Sequence, residues 1–383
     1  MSQNPQPIRI LVVDDSAFMR NTLSMMIMKY SDMQVVGTAI NGQDAIVLVQ
    51  RTDPDVMTLD IDMPGMNGLE VLDYLMAHHP LPIIMVSALT EEGASVTLQA
   101  LERGAVDFMA KPMNQAPFEI GSIDDVLAGK VRVAYKMRQR LSTLRPYRTH
   151  HDRSAGGFSW GLKDQDTRPS PRRALKAVRV EKVLTSTEFP LVVIGASTGG
   201  PNLLKELIRG IPSSFSAALL IVQHMPKFFT KVFAENLDAV AAISIREVQD
   251  GDVLQPGVGF VAPGDHHVVI SRQGDGRARV LIATEPLDSP YRPSVDCAMS
   301  SAAEQFGSAT IGLVLTGMGN DGMVGSQRIK EHGGTVLVQD EASSLIYGMP
   351  RAVVKAGWAD AVLPDTEIVS ALMETVDAVC VGT

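Results

Sequence analysis

The sequence predicts an α/β protein made of two doubly wound parallel-sheet domains joined by a flexible linker. Three observations carry this. Short apolar runs alternate with amphipathic stretches over residues 8 to 121 and again from 188 onward, as when helices cross between parallel strands. The 383 residues exceed the roughly 250 to 300 at which a single hydrophobic core stops growing. Between the halves, residues 145 to 182 hold ten Lys/Arg and four Asp/Glu, are rich in Pro, Ser, Gly and His, and show no sustained apolar period, which reads as a solvated tether. The domains are placed at 1–121 and 188–383, with 122–187 a helical extension and basic linker.

Composition narrows the function classes. With 45% hydrophobic and 20% charged residues the chain is that of a soluble globular protein. A net charge of -9, of which the linker contributes +6 and the remainder -15, argues against a nucleic-acid binder, because phosphate contacts need a basic surface. The N-terminus MSQNPQPIRI lacks the features of a signal peptide, and no apolar run approaches the roughly 20 residues of a membrane helix. A cytoplasmic monomer without membrane insertion is expected. Cys297 and Cys380 are too few for a disulfide framework and too isolated for a zinc site, so they read as ordinary thiols.

In the first domain the strands are expected at 8–13, 34–39, 55–59, 82–86 and 105–109, with helices such as SAFMRNTLSMMIMKY between them, whose Met and Leu cluster is packing material. Function in such sheets collects at the carboxyl ends of the strands. There the sequence places Asp14 and Asp15, Asp60, Ser87 and Lys111. Three carboxylates brought together repel one another unless a hard cation neutralises them, and Mg²⁺, held by one or two carboxylates and waters, fits that need. One carboxylate could then accept a phosphoryl group, with Lys111 countering the charge on the transferred oxygens. Separate surface acids at helix N-termini are the bland alternative.

The pieces VVDDS, LDIDMPGMNG, MVSA and DFMAKP resemble the receiver domain of two-component response regulators over residues 8 to 121. The resemblance implies a flavodoxin-like fold, Asp60 as phospho-acceptor, Asp14, Asp15 and Asp60 around Mg²⁺, Ser87 and Lys111 on the phosphoryl group, and Phe108 at the aromatic switch position. Asp62 is a rival acceptor but lies beyond the strand end.

The second domain opens on FPLVVIG, a buried strand, followed by PNLLKELIRG with apolar residues at helical spacing and a closing glycine. Ser197 therefore sits on a strand-to-helix turn, with Pro201 suited to the first helical turn. Gly195, Ser197 and Gly199 match the G-x-S-x-G spacing of a nucleophile elbow and fail the dinucleotide fingerprint G-x-G-x-x-G. A phosphate-cradling loop or a plain tight turn fits equally well until partners are found. The strand AALLIVQHM ends at His224, and ATIGLVLTGMGNDG leads into a glycine-rich loop with Asp321, the only acid between Glu304 and Glu331. If these strands are neighbours, their ends supply hydroxyl, imidazole and carboxylate in the order Ser, His, Asp, unlike the Ser, Asp, His order of α/β-hydrolases. His266 and His267, in APGDHHVVI, are competitors that read as part of a hairpin.

Together GASTGGP, QHMP, APGDHH, YRPSVD and LTGMGNDG resemble the catalytic domain of chemotaxis protein-glutamate methylesterases, which are also receptor glutamine deamidases, over about 188–380. The resemblance implies a Rossmann-like catalytic domain with Ser197 as nucleophile, His224 as general base, Asp321 orienting it and the backbone N–H of Met318 in the oxyanion hole. It also implies chemotaxis receptors as substrates, a chemotaxis histidine kinase as phosphodonor and no cofactor for the ester step; if the unphosphorylated receiver packs over the Ser197 cleft, phosphorylation of Asp60 would shift the balance toward an open arrangement. A transcription regulator would need a basic recognition helix after residue 188, where glycine-rich strand ends stand instead. A non-catalytic scaffold would keep the receiver and lose the triad.

Overall fold

The computed structural model describes residues 6–111, 123–143, 189–272, 274–286 and 289–381. It divides into two compact units, Met1–Trp160 and Gly161–Thr383. The basic segment 145–182, read as a tether, lies outside the described residues.

The first unit alternates β1 (Ile8–Val13), α1 (Ala17–Met28), β2 (Met33–Ala39), α2 (Gly42–Thr52), β3 (Val56–Asp60), α3 (Gly68–His78), β4 (Ile83–Ser87), α4 (Glu91–Glu102), β5 (Asp107–Ala110) and α5 (Ile123–Thr143). All strand pairs are parallel and the order is β2-β1-β3-β4-β5, a flavodoxin-like doubly wound sheet. The helices start where polar caps stop the extended chain. Ser16, Asn41, Asn67 and Thr90 each accept a hydrogen bond from the backbone N–H three residues on, and Glu70 returns the bond to Asn67 as a capping box. The five expected strands are all present, with ends displaced by one or two residues. Met19, Leu23, Met26 and Ile27 of α1 are buried as packing material, whereas Met25 and Met28 face solvent.

The helical part of the 122–187 segment belongs with this unit. Leu127, Ala128, Val131 and Ala134 of α5 are buried, and the helix packs on α1, β3, β4 and β5. Arg132 clamps Asp32 through two hydrogen bonds of 2.7 and 2.9 Å.

The second unit runs β6 (Leu191–Ala196), α6 (Gly200–Gly210), β7 (Ala218–Gln223), α7 (Phe229–Asp238), β8 (Ser244–Glu247), β9 (Asp252–Val253), β10 (Val258–Val261), β11 (His267–Arg272), β12 (Ala278–Ala283), α8 (Val295–Phe306), β13 (Thr310–Val314), α9 (Met323–Glu331), β14 (Thr335–Gln339), α10 (Met349–Ala356), β15 (Ala361–Leu363) and α11 (Asp365–Val381). Its main sheet has seven parallel strands in the order β15-β14-β13-β6-β7-β10-β8. β6, β7, β13 and β14 are buried along their whole length, as strands covered on both faces must be. A small antiparallel sheet, β11-β12-β9, stands apart. Its β11–β12 pair is the hairpin read from APGDHHVVI. The two-residue β9 is too short to be visible in any pattern.

The central β6 lies between β13 and β7, so the chain segments leaving these three strands share one edge of the sheet. Helix α8 comes so close to β6 that a Cβ on Gly195 would stand 2.4 Å from Cγ1 of Val295. Only glycine permits that approach, which brings the N-terminus of α8 to the same edge.

Candidate functional site

Ser197 lies between β6 and α6, in the turn that Gly199 closes with φ +82°. The turn is fixed from both sides: Ser197 N–H donates to Thr316 O at 3.0 Å, and Gly200 N–H donates to Ser197 O at 2.8 Å. His224 follows β7 directly, and its N–H donates to Ala196 O at 3.0 Å. Gln223 links the two turns, its amide donating to Ser197 O at 2.9 Å and to His224 O at 3.3 Å.

Asp321 sits in the loop after β13, and its Oδ2 lies 2.8 Å from His224 Nε2. Three adjacent strand ends thus carry the hydroxyl, imidazole and carboxylate. The carboxylate selects the Nε2–H tautomer of the imidazole, which leaves Nδ1 as the basic nitrogen. Nδ1 is buried and has no hydrogen-bond partner among the described residues.

The carboxylate of Asp321 is almost fully buried yet well supplied with donors. Besides His224 it accepts from Ser294 Oγ at 3.1 Å, Val295 N at 2.7 Å, Asp296 N at 2.9 Å and Gly322 N at 3.1 Å. Three of these donors belong to Ser294, the N-cap of α8, and to its first two helical residues. Burial alone would raise the acid, but the bond and charge of His224 and the backbone N–H groups of Asp296 and Val295 outweigh it and hold Asp321 below the ordinary carboxylate range.

Asp296 returns the favour to α9. Its Oδ1 accepts from Gly322 N at 2.9 Å and Gly325 N at 2.7 Å, so the helices exchange carboxylates at their N-termini. Burial, and then the charge of Asp321, push Asp296 up to about 7. Tyr291 stacks on His224 with ring centroids 4.5 Å apart and planes 7° from parallel. Asp296 and Tyr291 belong to the stretch YRPSVD, which carried the family resemblance without assigning either a role. Gln223 stands beside His224 in QHMP with no pattern to mark it. In sequence, the signal for Asp296 is an acid two residues after the capping serine Ser294.

The competing histidines make other contacts. His266 Nδ1 is 3.2 Å from Gly264 O, and His267 Nε2 is 3.2 Å from Pro286 O. His267 is fully buried, and burial lowers its basicity. Met318 is half-buried, and its N–H donates no hydrogen bond among the described residues.

In the first unit Asp14, Asp15 and Asp60 can bring carboxylate oxygens within 4.8 Å of one another. Lys111 Nζ is 2.7 Å from Asp60 Oδ2 and 3.4 Å from Asp14 Oδ2. Burial, opposed by Lys111 and reinforced by Asp14, pushes Asp60 up to about 6. Burial disfavours the ammonium of Lys111, but its carboxylate partners prevail and raise it. Ser87 lies at the end of β4, where its hydroxyl donates to Gly93 O at 3.3 Å. Phe108 is buried in β5, with the ammonium of Lys130 5.9 Å from its ring centroid. Asp62 is solvent-exposed, outside the carboxylate cluster.

Two family models match the chain, a response regulator receiver domain over residues 10–119 and the CheB methylesterase over residues 192–372. Relatives span nearly its whole length. A protein-glutamate methylesterase/protein-glutamine glutaminase of Pyrococcus abyssi is 39% identical over 97% of this chain and 94% of its own. A second, from Nitratidesulfovibrio vulgaris, is 40% identical over 96% of this chain and 98% of its own. A third, from Thermotoga maritima, is 38% identical over 96% and 98%.

Proposed function

Because the chain belongs to the CheB methylesterase family of response regulators, we propose that it hydrolyses glutamate methyl esters, and deamidates glutamines, on the cytoplasmic helices of chemotaxis receptors, under the control of phosphorylation at Asp60. The observation that carries this reading is the His224–Asp321 contact of 2.8 Å beside the Ser197 turn, with Nδ1 of His224 left as an unshared base.

Ser197 Oγ attacks the γ-carbonyl carbon of the ester while its proton passes to His224 Nδ1. The imidazolium so formed is stabilised by the carboxylate of Asp321 through Nε2–H and by the face of Tyr291. The oxyanion takes a hydrogen bond from the N–H of Met318, an interaction whose loss typically costs about 10²- to 10³-fold in rate. The tetrahedral intermediate collapses, the C–O bond to methoxide breaks, and His224 returns the proton so that methanol leaves. Water, deprotonated by the same nitrogen, then attacks the acyl-serine, releasing the glutamate carboxylate and restoring Ser197. With an amide the leaving group is ammonia.

In the first unit, Asp14, Asp15 and Asp60 suit Mg²⁺. They are hard oxygen donors within reach of one another, and the buried Oδ2 of Asp14 makes no hydrogen bond and faces only the Lys111 ammonium at 3.4 Å. When bound, the cation neutralises the charge of the carboxylates and of the incoming phosphoryl group. Asp60 is the acceptor from a chemotaxis histidine kinase, Lys111 holds the transferred oxygens, and Ser87 gives up its bond to Gly93 to reach them. Among the described residues no helix is long and apolar enough to cross a membrane, and the proposed site of action is the cytoplasm.

Methanol release from methylated receptor tests the reading. Ser197→Ala is expected to abolish release while leaving a folded protein, and retained turnover would exclude Ser197 as the nucleophile. Asp60→Asn is expected to lose all stimulation by a small phosphodonor, as is a chain lacking residues 1–184. Stimulation that survives Asp60→Asn would move the acceptor elsewhere.

A further inference from the structure

The segments that leave β7 and β13 carry more than His224 and Asp321. Among the described residues of the second unit, the large apolar side chains that are solvent-exposed are Phe228 (38%), Val324 (45%) and Val362. Val362 belongs to β15 at the sheet edge. The other two are placed quite differently. Phe228 follows His224 by four residues and caps α7, and Val324 follows Asp321 by three and is the second residue of α9. Because β7 and β13 flank β6, these two residues belong to the segments on either side of the turn that bears Ser197.

Phe228 is also held in an unfavourable backbone conformation, with φ +70° and ψ -35°. Among the described residues the other non-glycine residues with positive φ are Asp53 and Asp265, a residue type that tolerates such angles where phenylalanine does not. The surroundings enforce the conformation. Phe229 is wholly buried, its N–H donates to Pro226 O at 3.3 Å, and the preceding backbone lies so close to Gly264 that a Cβ there would stand 2.2 Å from Lys227 N. Glycine at 228 would adopt this turn without strain. An exposed aromatic ring kept at such a position marks a contact that the side chain makes with something else. The ammonium of Lys227 lies 5.3 Å from the centre of that ring, so the rim offers an apolar surface with a cation beside it.

Resting on the function proposed above, we infer that Phe228 and Val324 form the two sides of a docking rim for an amphipathic helix. Its apolar residues seat against both side chains, and the methyl ester is presented to Ser197 between them. Lys227 matches the acidic character of a helix whose modifiable positions are glutamates. The rim would select the helix that carries the ester, leaving the chemistry to the residues beneath it.

The experiment uses the full-length chain, a methylated cytoplasmic receptor fragment, and the γ-methyl ester of N-acetylglutamate, which is too small to span the rim. Phe228→Gly is expected to raise the ratio of receptor KM to small-ester KM about tenfold, and Val324→Ser about threefold, from the apolar area each loses. Phe228→Gly is further expected to leave the thermal midpoint equal or higher, since it relieves strain. An unchanged KM ratio in both variants overturns the inference, as does a rise in the rate without phosphodonor at unchanged receptor KM, which would assign the rim to autoinhibition. Should the wild-type chain release no methanol from the receptor, the proposed function fails on its own. Binding of the fragment to Ser197→Ala protein then decides the rim, which stands if Phe228→Gly weakens it and falls if it does not.

Discussion

Asp60 and Asp321 are both buried at the carboxyl edge of a parallel sheet, and they are held in opposite states. Asp60 has Lys111 at 2.7 Å and one long backbone contact, Asp62 N at 3.3 Å, with the carboxylate of Asp14 in the same cluster. Its acid is pushed up to about 6. Asp321 receives an imidazole, a hydroxyl and three backbone N–H groups, and its acid is held down. Burial is common to both, so the donors decide. A carboxylate left short of donors is poised to take a cation and a phosphoryl group, while one saturated by a helix N-terminus stays charged and serves a neighbour.

The largest expected effect breaks the second half of this comparison. Asp321→Asn keeps most of the shape but can hold the imidazole in the wrong tautomer, and methanol release is expected to fall by about 10⁴-fold. A drop of less than tenfold would show that saturation by α8, not the negative charge, is what His224 requires. The next effect concerns the first half. If the Asp14, Asp15 and Asp60 cluster lacks donors, Mg²⁺ at a hundredfold its Kd should raise the melting midpoint of the first unit by on the order of 10 °C, and Asp14→Asn should remove most of that rise. An equal response in Asp14→Asn protein would place the cation elsewhere.

The smallest effect sharpens the comparison through Asp296, the neighbour of Asp321 that is itself pushed up to about 7. A carboxyl raised in the folded state keeps a proton that the unfolded chain has already lost. Stability from this group is therefore full below about pH 4 and declines as pH rises to about 7. Asp296→Asn should flatten that decline in a chemical denaturation series across the same range. An undiminished slope would mean that another acid carries it.

Much of this arrangement was legible in the sequence because it is local. Short apolar runs followed at once by Asp14, Asp60, Ser197 or His224 fix both strand and strand end, whereas the adjacency of β7, β6 and β13 is a long-range property that only the sheet order supplies. Asp321 lies seven residues past the end of β13 and is identified by elimination among acids. What escaped was reciprocal and long-range. Asp296 meets the Asp321 loop across 25 residues of sequence, and Tyr291 meets His224 across a still longer interval. α5 was grouped with the linker although Leu127, Val131 and Ala134 fall on one helical face, because the charged residues between them and the polar segment before them masked the period.

The exchange of carboxylates between α8 and α9 gives the second unit a point of fragility that its sheet does not share. Asp321 keeps its orientation only while both helix ends remain wound, since each supplies N–H groups to an acid borne by the other. Fraying of either first turn, an event far cheaper than melting the buried strands, would release Asp321, and His224 with it. Under mild heating or low denaturant, catalysis should therefore fail before the protein loses its compactness. The amides of Val295, Asp296, Gly322 and Gly325 should exchange with solvent deuterium at the rate of that early failure, and those of β6 and β13 only with the collapse of the whole.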